Sequence, residues 1–301
     1  MGGLGNQLFQ YAFGKSIAKE SDKEVAYDLS WFDSGAEYDH DHLYLDYFQT
    51  DYEVADESDV NSIFPLGGRG RQLAKRHYKK SPLAVQTVFN YYRDIDQDQT
   101  DIFNTGPFKF RYSPKVYQTG NIAYFDGYWQ ANQYVDSVAE RLGEELTFQE
   151  PSTDEDRRIL SQITQSDSVS IHLRRGDYTA NNMTLSLDYY TEAIEKIQSQ
   201  IEKPSFYIFS DDVEWVENEL EIDRDTTYVN HNNAETCYED LRLMSECDHN
   251  IIANSTFSWW GAWLNQNEDK TVIAPQIWLG RQTGEVDILP RSWETILTDR
   301  M

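Results

Sequence analysis

The chain is poor in cysteine, in positive charge and in long apolar runs. It has two cysteines, Cys237 and Cys247, in 301 residues. Both fall in a segment that reads as one helix, Glu235 to Cys247. Ten residues along a helix span about 15 Å, beyond disulfide reach. A disulfide framework is therefore excluded, and two reduced thiols suit a reducing cytoplasm. No His or Cys cluster has metal-ligand spacing. No run of 18 apolar residues occurs, so no membrane-spanning helix is expected. The opening residues carry no signal-peptide pattern, and Asn6 stands where a myristoylation motif needs Ser or Thr. The expected location is cytoplasmic, at most peripheral on the inner face of a membrane.

Positive charge is the third shortage. There are 26 Lys and Arg against 52 Asp and Glu, a net charge of −26. Such a chain repels phosphate backbones and anionic surfaces, which excludes a general nucleic-acid binder. Disorder is excluded by what is present: 8 Trp, 20 Tyr and 14 Phe, with 39% apolar residues, whereas disordered acidic chains are poor in aromatics. The length predicts two domains of roughly 150 residues each. Pro151 breaks the chain, and Ser152 with Glu155 forms a candidate capping box. The expected division is 1–150 and 151–301, with a last helix packing back on the first domain.

After that boundary, short apolar runs alternate with helical stretches. Strands are expected at Ser168–Leu173, Phe206–Ser210, Thr226–Val229, Asn250–Ala253 and Thr271–Ala274. Helices are expected at Leu187–Ile201, Val213–Leu220, Glu235–Cys247 and Phe257–Asn265. This alternation predicts an α/β fold with a doubly wound parallel sheet. The first half is less regular, with a helix from Gly5 to Lys19, strands at Glu24–Asp28 and Asn121–Phe125, and a helix over Gln130–Leu146. Residues Arg69, Arg71, Lys75, Arg76, Lys79 and Lys80 invert the local charge. They read either as a solvated face or as a contact for an anionic partner, a lipid head group included.

The motifs that carry chemistry cluster at strand ends. The opening Gly2-Gly3-Leu4-Gly5-Asn6-Gln7 is a glycine-rich turn entering a helix, suited either to a close ligand or to tight packing. It is not a dinucleotide fingerprint, because Leu8 stands where Gly or Ala is needed. Ser170, His172 and Arg174 share one face of a strand that ends in Arg174-Arg175-Gly176-Asp177. Polar residues at the carboxyl end of a buried parallel strand mark its ligand crevice, and adjacent arginines suit a pyrophosphate. Ser210, Asp211 and Asp212 end another apolar strand, as sugar or base contacts or as helix caps. Asn254, Ser255, Thr256 and Ser258 bring hydroxyls and free N–H groups to a helix start. The tryptophans that follow read as core or as a sugar-stacking wall. Asp126-Gly127-Tyr128-Trp129-Gln130 ends a first-domain strand in similar style. Asp-x-Asp triples such as Asp94-Ile95-Asp96 and Asp223-Arg224-Asp225 end no apolar strand, so no metal is expected.

Taken in order, Gly2–Ala12, Asp126–Gln130, His172–Asp177, Ser186–Tyr190, Phe209–Asp212 and Tyr238–Leu264 resemble the blocks of glycosyltransferase family 11, the α-1,2-fucosyltransferases. The resemblance implies a GT-B-like fold of two Rossmann-like domains, the second holding GDP-fucose and the first facing a galactose-containing glycan, lipid-linked or free. It implies inverting transfer without metal or other cofactor. Arg174 would stabilise the leaving β-phosphate and Arg175 would assist or hold the loop. Asp177, Asp126 and His172 are the remaining catalytic candidates. Arg174, Arg175, Ser210, Asp211, Asp212, Glu239, Asn254, Ser255, Thr256, Ser258, Gly3, Gly5 and Asn6 are the donor-binding candidates. Another linkage, or GDP-sugar binding without transfer, are the alternatives. In the family a strand precedes the glycine-rich turn, so a first strand upstream of Met1 is expected.

Asp leads the acidic residues, 29 to 23 Glu, and Lys numbers 11. A dense carboxylate surface self-repels in dilute buffer and is screened at molar salt, where the Debye length is about 3 Å. A halophile's protein fits this better than an unusually acidic mesophilic one. The protein is expected to unfold at low salt and refold in molar KCl, followed by circular dichroism. Full stability in dilute buffer would rule the halophilic reading out.

Overall fold

The computed structural model describes residues 2–32, 42–63, 100–104, 110–148, 151, 153–279, 281–282 and 286–298. The chain forms two compact units, Met1–Asp46 with Thr50–Glu145, and Tyr47–Gln49 with Leu146–Met301.

The first unit is built on the helix Leu4–Ser21, which buries Leu4, Leu8, Phe9, Tyr11, Phe13 and Ile17. Gly3 caps it in extended conformation, and its carbonyl accepts the Asn6 and Gln7 N–H groups. Gly2 lies at φ +83°, the left-handed region that favours glycine. Strand β1 (Ala26–Tyr27) pairs in parallel with β2 (Glu53–Val54), and β3 (Thr100–Asn104) pairs in parallel with β4 (Ile122–Asp126). Between β1 and β4 lies a cavity of about 620 Å³, lined by Tyr11, Phe13, Tyr27, Trp31, Tyr124 and Phe125 among others. The first half's aromatic wealth is structural here. Phe13 stacks on Trp129 at 4.4 Å, and Phe125 and Tyr134 meet Phe13 edge-on.

One expected helix is two. Gln130–Leu146 resolves into Asn132–Asp136 and Ala139–Glu145. Ser137 explains the break. Its hydroxyl donates to the Tyr134 carbonyl and to Ser16 Oγ, and its own carbonyl accepts from the Lys19 ammonium at 2.6 Å. That carbonyl is thereby drawn out of the helical ladder.

The second unit is a six-stranded, wholly parallel sheet. Its strands are β5 (Asp167–Leu173), β6 (Pro204–Ser210), β7 (Thr226–Val229), β8 (His249–Ile251), β9 (Val272–Pro275) and β12 (Glu294–Ile296). A small antiparallel hairpin, β10 (Ile277–Trp278) with β11 (Arg281–Gln282), sits between the last two in sequence. The spatial order is β12-β9-β8-β5-β6-β7. Counted within the unit this is 3-2-1-4-5-6 read from the other edge, the doubly wound order, which reverses between β5 and β8. The helices Leu187–Gln200 and Val213–Glu219 pack their apolar faces on Val169, Ile171, Leu173, Phe206 and Ile208. The helices Asp154–Ile163, Cys237–Glu246 and Thr256–Leu264 pack together as a second group.

Element ends moved by at most two residues from expectation. The capping box is Thr153 with Asp156, one position along from Ser152 and Glu155. Asp156 wins because it also accepts from His231 and Asn232, and it is fully buried. Cys247 is the C-cap of its helix, and both cysteines are free thiols. Among the described residues no helix follows Leu264; the expected last helix is replaced by β12, which extends the sheet beside β9.

Buried β5 carries hydroxyls on one face, and the structure satisfies them. Ser168 Oγ donates to Asp248 at 3.0 Å, and Ser170 Oγ accepts from Asn250 Nδ2 at 2.7 Å. Asn250 Nδ2 also donates to the Met244 carbonyl, and its Oδ1 accepts from Asn265. Removing Asn250 strands several buried polar groups, each worth about 1–3 kcal/mol. Asn250→Ala is expected to lower unfolding free energy by about 2–4 kcal/mol, measured by urea titration in the folding salt. A loss below about 0.5 kcal/mol would show that the network is dispensable.

Candidate active site

The sheet's topology fixes where a site belongs. Chains leaving β5 and β8 diverge to opposite faces, which opens a crevice at their carboxyl ends. Two loops line it: Arg174–Asp177 after β5 and Asn254–Ser258 after β8. A third, Ser210–Asp212, follows β6, whose register with β5 pairs Leu173 with Ser210. Asp211 therefore emerges beside Arg174.

The two arginines have different surroundings. Arg174 is bracketed by carboxylates: Nη2 lies 2.7 Å from Asp177 Oδ1, and Nη1 lies 2.9 Å from Asp211 Oδ2. The other Asp211 oxygen accepts the Arg175 backbone N–H at 2.8 Å. Arg175 turns the opposite way. Its Nε meets Asp212 Oδ2 at 3.0 Å, and its guanidinium lies 3.2 Å over the Trp215 ring. A Cβ on Gly176 would fall 2.6 Å from Asp211 Oδ2, so any side chain there would displace the Asp211 carboxylate.

The loop after β8 is tied to the same crevice. Ser255 caps the helix Thr256–Leu264, its Oγ accepting the Phe257 N–H at 3.3 Å. Ser258 is buried and donates to the Ser255 carbonyl. Tyr178 straps the loops together, its hydroxyl donating to the Asn254 carbonyl at 3.3 Å. Burial pushes the Tyr178 hydroxyl up to about 12, so it stays a donor at neutral pH. Asn254 Nδ2 donates to the Met183 carbonyl at 2.9 Å, while its buried Oδ1 has no partner.

His172 is 5% exposed on the penultimate position of β5, with its ring 5.6 Å from that of Phe257. Burial lowers its pKa to about 4; the Asp211 charge opposes that shift and the Arg174 charge adds to it. It is a neutral imidazole at physiological pH, and its buried Nδ1 has no partner. Two orphaned polar atoms, on His172 and Asn254, thus belong to β5 and to the loop after β8, the two segments that flank the crevice.

The remaining candidates divide clearly. Ser210 Oγ accepts the Asp212 N–H at 3.1 Å, a turn-making bond. Glu239 is fully buried and pairs with Arg242 at 2.8 Å on its own helix. Its neighbour Asp240, raised to about 7 by burial, accepts from Asn232, which also donates to Asp156. Thr256 opens the helix after β8. Trp259 and Trp260 are fully buried, which makes them core, whereas Trp263 is half-buried. Gly3, Gly5, Asn6 and Asp126 belong to the first unit, where Asn6 Oδ1 accepts from Gln130 Nε2 at 2.5 Å and Asp126 is buried at the end of β4. The basic stretch from Arg69 to Lys80 lies outside the described residues, as does Asp94-Ile95-Asp96. Among the described residues no cluster of three His, Cys, Asp or Glu side chains could hold a metal ion, and no helix is long and apolar enough to cross a membrane.

Tyr178 and Trp215 were not anticipated. Tyr178 adjoins the arginine block, a weak signal. Trp215 sits inside an ordinary amphipathic helix, and nothing in sequence marks it as the platform for Arg175.

The chemistry available is anion binding at a parallel sheet's switch point, by planar donors already held in place. Comparison with known proteins identifies the family. The Glycosyl transferase family 11 model matches residues 1–296. An alpha-1,2-colitosyltransferase of Escherichia coli is 30% identical over 98% of this chain and 96% of its own length. The Escherichia coli O-antigen biosynthesis glycosyltransferase WbnK is 44% identical over 38% of this chain and 39% of its length. Human galactoside alpha-(1,2)-fucosyltransferase 1 is 24% identical over 42% of this chain and 39% of its length. With the family's pattern running through both units, this chain belongs to glycosyl transferase family 11.

Proposed function

We propose that this enzyme transfers L-fucose from GDP-β-L-fucose to the 2-hydroxyl of a galactoside, with inversion, and that its two units form a GT-B-like architecture. The observation that carries the reading is the carboxylate-held arginine pair at the β5 end of the switch point in a family 11 chain. The relatives named for α-1,2 transfer support the linkage.

In this reading the acceptor oxygen bonds to the anomeric carbon as the bond to the β-phosphate oxygen breaks. The bonding pair leaves with GDP, and the acceptor proton passes to a base. Charge grows on the leaving phosphate, where a fixed guanidinium is worth most in a partly desolvated crevice. Arg174 fills that role. Arg175, engaged by Asp212 and Trp215, holds the loop. His172, uncharged near neutrality, offers a hydrogen bond and no charge. Asp177 and Asp126 are the candidate bases, one in each unit. The helix start at Ser255–Ser258 offers further N–H donors to the pyrophosphate. The reaction needs no metal, because guanidinium groups take the charge that a cation would neutralise. The acceptor is a galactose-containing glycan.

A colitosyl donor is the second reading, because the relative aligned over the whole chain is named for it. The deciding experiment incubates the enzyme with GDP-fucose or GDP-colitose and a panel of β-galactosides, and reads the linkage by NMR. GDP binding without transfer would turn the reading to a sugar-nucleotide binder, and a different bond would reassign the linkage. Arg174→Ala is expected to lower kcat by about 10²-fold or more; near-normal turnover would remove Arg174 from the transition state. Rates in excess EDTA are expected to equal those with added Mg²⁺, and loss of turnover in EDTA would reinstate a metal.

A further inference from the structure

Arg174 holds two carboxylates, and they are not equivalent. Asp211 is 26% exposed and bonded at both oxygens, to the Arg174 guanidinium and to the Arg175 N–H. It is also pressed against Gly176. Moving it would unmake the turn. Asp177 is 55% exposed, and its carboxylate bonds to Arg174 Nη2. Its departure would cost a single half-exposed ion pair, and water is at hand to solvate the freed carboxylate.

An arriving phosphate oxygen needs a planar N–H donor pair with a free face. On Arg174 the Nη1 side is held by Asp211 and the Nη2 side by the more exposed Asp177. Resting on the donor assignment above, we infer that Asp177 is an exchangeable occupant of the donor's place on Arg174, while Asp211 is a positioning residue that keeps the guanidinium fixed during the exchange. Donor binding then does two things. A β-phosphate oxygen replaces Asp177 on Nη2, and the Asp177 carboxylate is released as an unpaired base. In the free enzyme the same carboxylate oxygen is taken up by the bond to Arg174 Nη2. The base is therefore armed only when the donor is in place. On reaction it takes the acceptor hydroxyl proton as the new glycosidic bond forms and GDP leaves with its electron pair. Proton and charge balance within the two substrates and Asp177.

The two carboxylates should respond to substitution with opposite signs, which a structural role for both would not produce. Asp177→Asn keeps the shape and removes the charge that competes for Arg174. It is expected to tighten GDP binding about threefold, the worth of a half-exposed ion pair, by calorimetry in the folding salt. The same variant is expected to lower kcat by about 10²-fold or more, as loss of a general base does. Asp211→Asn is expected to weaken GDP binding and to lower kcat, because the turn loses its anchor. Circular dichroism of both variants confirms that they are folded before binding is compared. Wild-type binding of GDP with weaker binding by Asp177→Asn would overturn the exchange and leave the donor assignment standing. Tighter GDP binding with unchanged kcat would overturn the arming of the base. A wild-type enzyme that does not bind GDP would overturn the donor assignment and the exchange together.

Discussion

An arginine pair at a strand end inside a chain of net charge −26 faces a constraint that orders the whole second unit. Free guanidinium groups would be drawn to whichever carboxylate lies nearest, and no fixed geometry would result. The structure answers by choosing the carboxylates. Parallel pairing of β5 with β6 sets Leu173 opposite Ser210, so the next residue of each strand, Arg174 and Asp211, must emerge side by side. Pairing of β5 with β8 sets Ile171 opposite Ile251, which brings Asn254 alongside the same turn. Sheet register, an apolar property of the core, thus determines an electrostatic one at the rim.

The same register explains the polar face of β5. A central parallel strand flanked on both sides is normally apolar throughout. Here Ser168 and Ser170 are answered by Asp248 and Asn250, within the strand beside them or at its entrance. His172 is the next polar residue on that face and the first one without an answering side chain. The satisfied network stops where the crevice begins. That change, from hydroxyls with partners to an imidazole nitrogen without one, marks the edge of the core more sharply than burial does, since all three residues are buried.

Much of this was legible in sequence, and the reasons are specific. Short apolar runs ending in Arg174, Asp211 and Asn254 announce parallel strands with polar carboxyl ends, because only a buried strand needs such a run and only a ligand crevice tolerates such an ending. Partnerships were less legible. Asp211 and Asp212 stand together in sequence yet serve different arginines, one through a backbone N–H as well and one below a Trp215 stack. Sequence offers two identical residues there, and only the direction of each side chain separates them. Glu239 is a second such case: sequence does not show that Arg242, one helical turn on, pairs with it in the interior. The capping box shifted by one residue for a tertiary reason, the bonds from His231 and Asn232 to Asp156. The split at Ser137 depends on Lys19, more than a hundred residues away in sequence.

The arginine turn also changes what net charge means for this protein. Arg174 and Arg175 contribute two positive charges, and Asp177, Asp211 and Asp212 lie against them with three negative ones. The local sum is negative, so the pyrophosphate of the proposed donor would approach against both the background field and the turn itself. Salt acts on the two terms unequally. The background is a sum over exposed carboxylates and is screened within a Debye length. The Asp177 pair, a single contact to a side chain that is 55% exposed, is screened nearly as an ordinary surface pair, whereas Asp211, 26% exposed at its side chain, is held by bonds at both oxygens. In the exchange proposed above, rising salt would therefore loosen the contact that competes with the donor more than the contacts that position the guanidinium, because Asp177 has one half-exposed contact to give up and Asp211 has two.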